Sequence, residues 1–318
     1  METASIFGVL ILVLLSQVLS VSPTYSCEIY APGTLKPIYS FDQDDADGHF
    51  TASEAVFPKK RELTTVVFDV GGVLGHDLLK SLRIHLADIF SEDFGLTESD
   101  LRTASQRVTR VHADLGYEFD AGYHRRLLKE GLRITNLGVQ LGDSEIDRLI
   151  DTRIEWASWE NTLKAVIREQ SLCNEPVVRL AQKLNASGYT VAILSDDSIE
   201  MGNARMDVCG YLDILGKENI FISSAFHTKK PGAEIYRIVL EKLGLTDSPE
   251  RAVFIDNKHY NVHGYPNQPS DGSGATGVGM WGILFEGQKS SPEGFVKGES
   301  PANLYHCLKK IGIELQGE

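Results

Sequence analysis

Thr64-Thr65-Val66-Val67-Phe68-Asp69-Val70-Gly71-Gly72-Val73-Leu74 sets a short β-prone run directly ahead of an aspartate and paired glycines. Val66, Val67 and Phe68 show no polar alternation, so both faces of this strand are expected to be covered, as in the middle of a parallel sheet. Outward from it the same texture recurs. Pro176 to Gly188 reads as a helix, with proline in its first turn, Leu180, Ala181 and Leu184 on one face and glycine at its end. Tyr189 to Leu194 is the next apolar strand, Ile220 to Ser223 a short third, Ala252 to Asp256 a fourth and Trp281 to Phe285 a fifth. Pro231 to Gly244 repeats the proline-to-glycine helix pattern. Strands and helices in alternation predict an α/β chain with a doubly wound, mostly parallel sheet.

Between the first two strands lies a long stretch, about 78–172, with helical periodicity and high charge. It predicts an all-helical subdomain inserted after strand one. Gly264 to Gly279 is rich in Gly, Pro, Ser and Asn and reads as a loop. With 42% hydrophobic and 24% charged residues over 318 positions, the composition is globular. Asp and Glu outnumber Lys and Arg by 44 to 31, a net charge of -13, which sets the chain against a phosphate backbone and argues against nucleic-acid binding. The four cysteines lack zinc-ligand spacing.

The N-terminus carries an apolar run from Ile6 to Val21, shorter than the ~20 residues of a bilayer span. It reads as a signal peptide over residues 1–26, with cleavage after Ser20 or Ser26. No stable membrane insertion is expected once it is removed. The expected destination is the secretory pathway (secreted or endomembrane lumen), or a plastid reached through it. There Cys27, Cys173, Cys209 and Cys307 can pair, in an order the sequence leaves open. Residues 27–60 read as a separate acidic segment, ahead of a main domain over 61–318. Around Gly48, Asp45, Asp47 and Glu54 fall on the third, fifth and twelfth ligand positions of an EF-hand calcium loop, while Gln43 takes the first. The segment fits either a Ca2+ site or a solvated linker. Nothing in the sequence sets an oligomeric state.

In such a sheet, ligands bind at the carboxyl ends of the strands. Strand one delivers Asp69, Gly71 and Gly72 there; strand two, Ser195; strand four, Asp256 and Asn257; the turn before Pro231, Lys229 and Lys230. Carboxylates, a hydroxyl and a cation converging from separate strands make a kit for phosphoryl transfer. A carboxylate can attack phosphorus, two carboxylates and a carbonyl can hold Mg2+, and a hydroxyl and an ammonium can steady the phosphoryl oxygens.

At these residues the chain resembles the haloacid dehalogenase-like (HAD) hydrolase superfamily. Phe68 to Leu74 is similar to its first motif, Ile193-Leu194-Ser195 to its second, Lys230-Pro231-Gly232 to its third and Phe254-Ile255-Asp256-Asn257 to its fourth, in the family's order. The place of the helical stretch resembles that of the cap inserted after motif one. The resemblance implies a Rossmann-like core and a phosphatase-type hydrolase acting on a small phosphorylated molecule. It implies Asp69 as nucleophile, Ser195 and Lys230 on the phosphoryl group, and Mg2+ on Asp69, Asp256 and the Gly71 carbonyl. Lys230 is preferred to Lys229 because it directly precedes Pro231. Two positions depart from the pattern. Gly71 stands where phosphatases of the family usually carry the acid that protonates the leaving group, and Asn257 where a second Asp is common. If Gly71 removes that acid, good leaving groups are favoured, unless His76 or Asp77 supplies the proton. A metal-independent dehalogenase-type hydrolase and a catalytically silent binding protein stay open as alternatives.

Overall fold

A chain that delivers buried apolar strands one after another must stack them in register and cover both faces. In the computed structural model, which describes residues 26–42, 49–50, 62–115, 120–136, 138–265, 273–286 and 302–316, the strands form one eight-stranded sheet. In chain order they are β1 (Ser26–Tyr30), β2 (Tyr39–Asp42), β3 (His49–Phe50), β4 (Thr65–Phe68), β5 (Thr190–Ser195), β6 (Ile220–Ile222), β7 (Ala252–Asp256) and β8 (Trp281–Glu286). Their spatial order is β3-β2-β1-β8-β7-β4-β5-β6. The strands from β4 to β8 are mutually parallel, each expected from the sequence to within a residue or two.

Period-two burial gives each central strand two apolar faces. Val66, Phe68, Ile193, Val253 and Ile255 pack on one side. Val67, Ala192, Leu194 and Phe254 pack on the other. From β4 the chain winds to β5 and β6 on one flank, then returns to β7 and β8 on the other. The reversal of winding therefore falls between β4 and β7, where such sheets open a crevice.

Between β4 and β5 the described chain is helical: α1 (Leu78–Phe94), α2 (Glu98–Leu115), α3 (Ala121–Arg133), α4 (Asp143–Arg153) and α5 (Trp159–Glu169), with two short 3-10 turns. Asp77 caps α1 by accepting from the Lys80 N–H at 3.1 Å, and Gly95 ends it in the left-handed region at φ 62°. Leu78, Leu82, Leu86 and Phe90 recur at helical spacing on its buried face and share a core with Leu128, Leu132, Ile150 and Leu163. This core is distinct from the two that cover the sheet. Then follow α6 (Glu175–Ala186), α7 (Ile199–Val208), α8 (Tyr211–Leu215), α9 (Ala233–Lys242), α10 (His259–His263), α11 (Gly274–Gly277) and α12 (Ala302–Lys310).

Three expectations change. The segment read as standing apart over 27–60 instead enters the sheet: β1 runs antiparallel along β8, and β2 and β3 follow. The main domain therefore begins before residue 61. The physical reason is the edge of β8, whose Ile283 and Phe285 are buried and need a neighbour; Cys27 and Ile29, alternating on β1, help cover them. The helix expected from Pro231 starts at Ala233, because a turn closed by the Gly232 N–H on the Lys229 carbonyl (3.0 Å) takes up the proline. The loop expected over 264–279 contains the helical turn α11, while its residues 266–272 lie outside the described ones. So do the apolar run at Ile6 to Val21 and the calcium candidates Asp45, Asp47 and Glu54. No helix of the described residues is long and apolar enough to cross a membrane.

All four cysteines pair. Cys27–Cys307 ties β1 to α12, fully buried, and Cys173–Cys209 ties the end of the helical insertion to the end of α7.

Candidate active site

Three of the expected side chains meet at one point. Asp69 directly follows β4, and its backbone N–H donates to the Ile255 carbonyl of β7 at 2.8 Å, so the residue is fastened across the crevice. Asp256 is the last residue of β7. Lys230 reaches in from the turn before α9. Its Nζ donates to Asp69 Oδ1 (2.5 Å), to Asp256 Oδ2 (3.0 Å) and to the Leu194 carbonyl (3.1 Å). Asp69, Lys230 and Asp256 are 4%, 5% and 0% exposed, so their charges answer one another rather than water.

The electrostatics follow from that burial. For Lys230, burial opposes the charge, but Asp256 and then Asp69 outweigh it and raise its pKa. Burial, reinforced by the charge of Asp69, pushes Asp256 up to about 6 against the pull of Lys230. Asp256 Oδ1 also accepts from the Lys258 N–H (2.8 Å), and Oδ2 from the Asn261 side chain (2.9 Å), which fixes the plane of the carboxylate. Lys229, the neighbour passed over in the sequence, is exposed.

Ser195 ends β5 and is 2% exposed. Its hydroxyl does not join the trio but donates to Asp197 Oδ2 at 2.5 Å. The next residue, Asp196, accepts from the Lys230 N–H at 3.1 Å and holds that turn. The paired glycines have separate reasons. At Gly72, φ is +91° and a Cβ would fall 2.0 Å from the Asn257 amide, so only glycine fits. At Gly71 a Cβ would meet nothing nearer than Asp69 Oδ2 at 4.0 Å, so the position is open toward the nucleophile candidate. With its amide nitrogen turned to the surrounding acceptors, Asn257 donates to the Gly71 carbonyl (3.1 Å) and to Asp256 Oδ1 (3.3 Å).

The two substitute acids named above, Asp77 and His76, have other neighbours. Asp77 is exposed and spent on capping α1. The His76 ring has its pKa lowered to about 4 by burial and then by the charge of Arg205. In the helical insertion, His124 and Arg125 are engaged away from the trio. His124 is buried and its Nδ1 lies 2.8 Å from the Asp120 carbonyl, while Arg125 pairs with Asp151. Two groups escaped the sequence reading. Lys258 lies at the rim; partial burial opposes its charge, but Asp69, Tyr260 and Asp256 raise its pKa. Arg205 on α7 faces Asp197. Lys258 was legible in principle, two residues after Asp256, whereas Arg205 had no motif to mark it.

Among the described residues no group of three or more His, Cys, Asp or Glu side chains is arranged to hold a metal ion. The remaining candidate set is two carboxylates, Asp69 and Asp256, with the Gly71 carbonyl. It consists wholly of oxygen, and two carboxylates confront one ammonium in a dry crevice. A hard divalent cation fits both the donor type and that charge deficit.

A family model for haloacid dehalogenase-like hydrolases matches residues 63–262, more than half of the chain. Solved structures are similar as well. A haloacid dehalogenase-like family hydrolase from Xanthomonas campestris is 16% identical, with a TM-score of 0.47 over 81% of this chain and 97% of that one. L-2-haloacid dehalogenase from Xanthobacter autotrophicus is 20% identical, with a TM-score of 0.43 over 69% and 75%. CbbY from Rhodobacter sphaeroides, in complex with phosphate, is 18% identical, with a TM-score of 0.40 over 69% and 84%. No curated protein matches the sequence.

Proposed function

This chain belongs to the haloacid dehalogenase-like hydrolases, and on that premise we propose that it is a Mg2+-dependent phosphatase acting on a small organic phosphate through an aspartyl-phosphate intermediate. The observation that carries the reading is the Lys230 ammonium held between Asp69 and Asp256. A carboxylate so held is buried and oriented by its neighbour, as a nucleophile requires.

In the reaction, an Asp69 oxygen forms a bond to phosphorus as the bond to the leaving oxygen breaks. Water then attacks the same phosphorus, releases inorganic phosphate and restores the carboxylate. Lys230 neutralises phosphoryl oxygen charge throughout. Ser195 turns its hydroxyl to a phosphoryl oxygen. Asp69, Asp256 and the Gly71 carbonyl would hold Mg2+, which would add Lewis-acid stabilisation of the phosphoryl oxygens. No acid stands at Gly71, so a leaving group that departs as a stable anion, such as an aryl or acyl phosphate, is favoured over an alkyl phosphate. The test is a panel of phosphate esters with and without Mg2+, with Asp69→Asn as control. Turnover that is lost on chelation and restored by Mg2+ supports the reading, and turnover indifferent to chelator removes it.

A second reading is a metal-independent hydrolase that attacks carbon, in which the Gly71 carbonyl keeps the hydrogen bond donated by the turned Asn257 amide and holds no metal. Turnover in 18O water separates the two. The phosphatase sends the label to phosphate; the carbon-attacking enzyme sends it into the Asp69 carboxylate.

We also propose maturation along the secretory route, with cleavage after Ser20 or Ser26, before or at the first residue of β1. The two disulfides support an oxidising compartment. N-terminal sequencing of the mature protein tests it: a start after residue 20 or 26 agrees, and a retained Met1 does not.

A further inference from the structure

Ser195 has one hydroxyl hydrogen, and the structure shows it committed to Asp197 Oδ2 at 2.5 Å. A hydroxyl so engaged can accept but cannot donate to an anion. The phosphoryl group of the proposed reaction offers only acceptors. Ser195 must therefore release Asp197 when substrate enters, and Asp197, 5% exposed, would lose a buried hydrogen bond.

The structure holds a ready replacement. Arg205 Nε lies 3.7 Å from the same Asp197 Oδ2, beyond hydrogen-bonding distance, and this buried Nε has no hydrogen-bond partner. A shift of under ~1 Å brings the pair to the usual charge-assisted distance. Meanwhile Arg205 Nη1 donates to the His76 carbonyl at 3.1 Å. His76 precedes the cap of α1, at the entry to the helical insertion, and its N–H donates to the Leu172 carbonyl at the exit (2.8 Å). Asp197 is held from its other side too, since its carbonyl accepts from the Ser224 hydroxyl at 2.9 Å.

We propose that Asp197 is a positioning residue for the Ser195 hydroxyl, and that Arg205 is its counter-charge in waiting: Ser195 exchanges Asp197 for a phosphoryl oxygen while Asp197 exchanges Ser195 for the Arg205 Nε–H. No covalent bond changes; two hydrogen bonds replace one. The pair lets a hydroxyl be held in place when the crevice is empty and released when an anion arrives. Through the Arg205 bond to His76, the exchange also reaches the junction of core and insertion. The inference rests on the phosphatase reading.

The test is a mutant cycle on kcat and KM for an aryl phosphate, with inorganic phosphate as competing inhibitor. Asp197→Asn alone leaves the Arg205 charge buried without its partner and risks the fold, so the pair is removed together as Asp197→Asn with Arg205→Gln. In the Ser195 protein this double change, which removes both the carboxylate that orients the hydroxyl and the charge that draws that carboxylate away, is expected to lower kcat/KM about tenfold and weaken inorganic phosphate to a similar degree. In the Ser195→Ala background the same double change is expected to alter either quantity less than twofold, because its effect passes through the missing hydroxyl. An undiminished effect in the Ser195→Ala background overturns the inference, as does no effect in the Ser195 protein. If the unaltered protein neither hydrolyses the ester nor binds phosphate, the phosphatase reading itself fails and takes the inference with it.

Discussion

Two regions of this molecule carry many charges and use them in opposite ways. At the carboxyl ends of β4 and β7, Asp69, Lys230 and Asp256 are sealed from solvent and bonded to one another. In the helical insertion, Arg125 with Asp151, Lys129 with Asp147 and Arg133 with Asp143 form ion pairs on open helix faces, all six side chains at least a fifth exposed. Water screens the second set, so each pair adds little to stability. The first set has no such screen, and each member depends on its partners. The difference separates groups that can do chemistry from groups that keep a helical surface soluble, though a plain count of Asp, Glu, Lys and Arg treats them alike.

The strongest way to press on that contrast is Asp69→Asn. It should reduce kcat on an aryl phosphate by about 1,000-fold or more, while the circular-dichroism spectrum stays that of the parent. Lys230→Met comes next and reads the contrast in stability. It leaves two buried carboxylates facing each other, at a cost of about 3–5 kcal/mol in thermal or denaturant unfolding. The sign with pH is fixed. Asp256 already has its pKa raised to about 6, above the unfolded value of 3.8. A raised carboxyl contributes stability that is present below the unfolded value and lost as pH rises through the folded one. Removing the ammonium that pulls it down raises it further, so the deficit of the variant should shrink from pH 8 to pH 5. A deficit independent of pH would count against the buried pair as its cause.

Gly71→Asp is gentler on the fold, because the position opens toward Asp69. An acid there should raise alkyl phosphate turnover toward that of aryl phosphates by up to about 100-fold, narrowing the gap between the two. Equal rates on both esters in the unaltered protein would remove the idea of a missing acid. The smallest effect belongs to the insertion: Arg125→Ala should change unfolding free energy by no more than about 1 kcal/mol, less at high salt, and leave kcat untouched.

Much of this was readable before any coordinates. Val66 to Phe68, Ile193 and Leu194, and Phe254 and Ile255 are uninterrupted apolar runs, and such runs have one good place in an α/β sheet, its centre. Polar residues at their carboxyl ends then have to meet, which is why Asp69, Lys230 and Asp256 could be grouped across 188 positions of chain. What stayed hidden lacked a periodic signal. β1 alternates over a stretch as short as Cys27 to Tyr30 beside a much longer apolar run, and its partner β8 lies at the other end of the chain. Four cysteines allow three pairings, and spacing does not choose among them. Asp197 and Arg205 stand on a loop and a helix whose approach only the packing of α7 decides. Ser195 was placed correctly on its strand, but the present partner of its hydroxyl was not foreseeable from type or spacing.

The claim on which the account turns is that the Asp69 carboxylate bonds to phosphorus. Turnover of an aryl phosphate with Mg2+ can be stopped in acid, reduced with borohydride and digested for peptide mass mapping. An acyl phosphate at Asp69 is reduced to homoserine, so the account predicts homoserine at position 69 and at no other aspartate. An enzyme that turns over while Asp69 emerges unaltered, with the modification on another carboxylate, contradicts it.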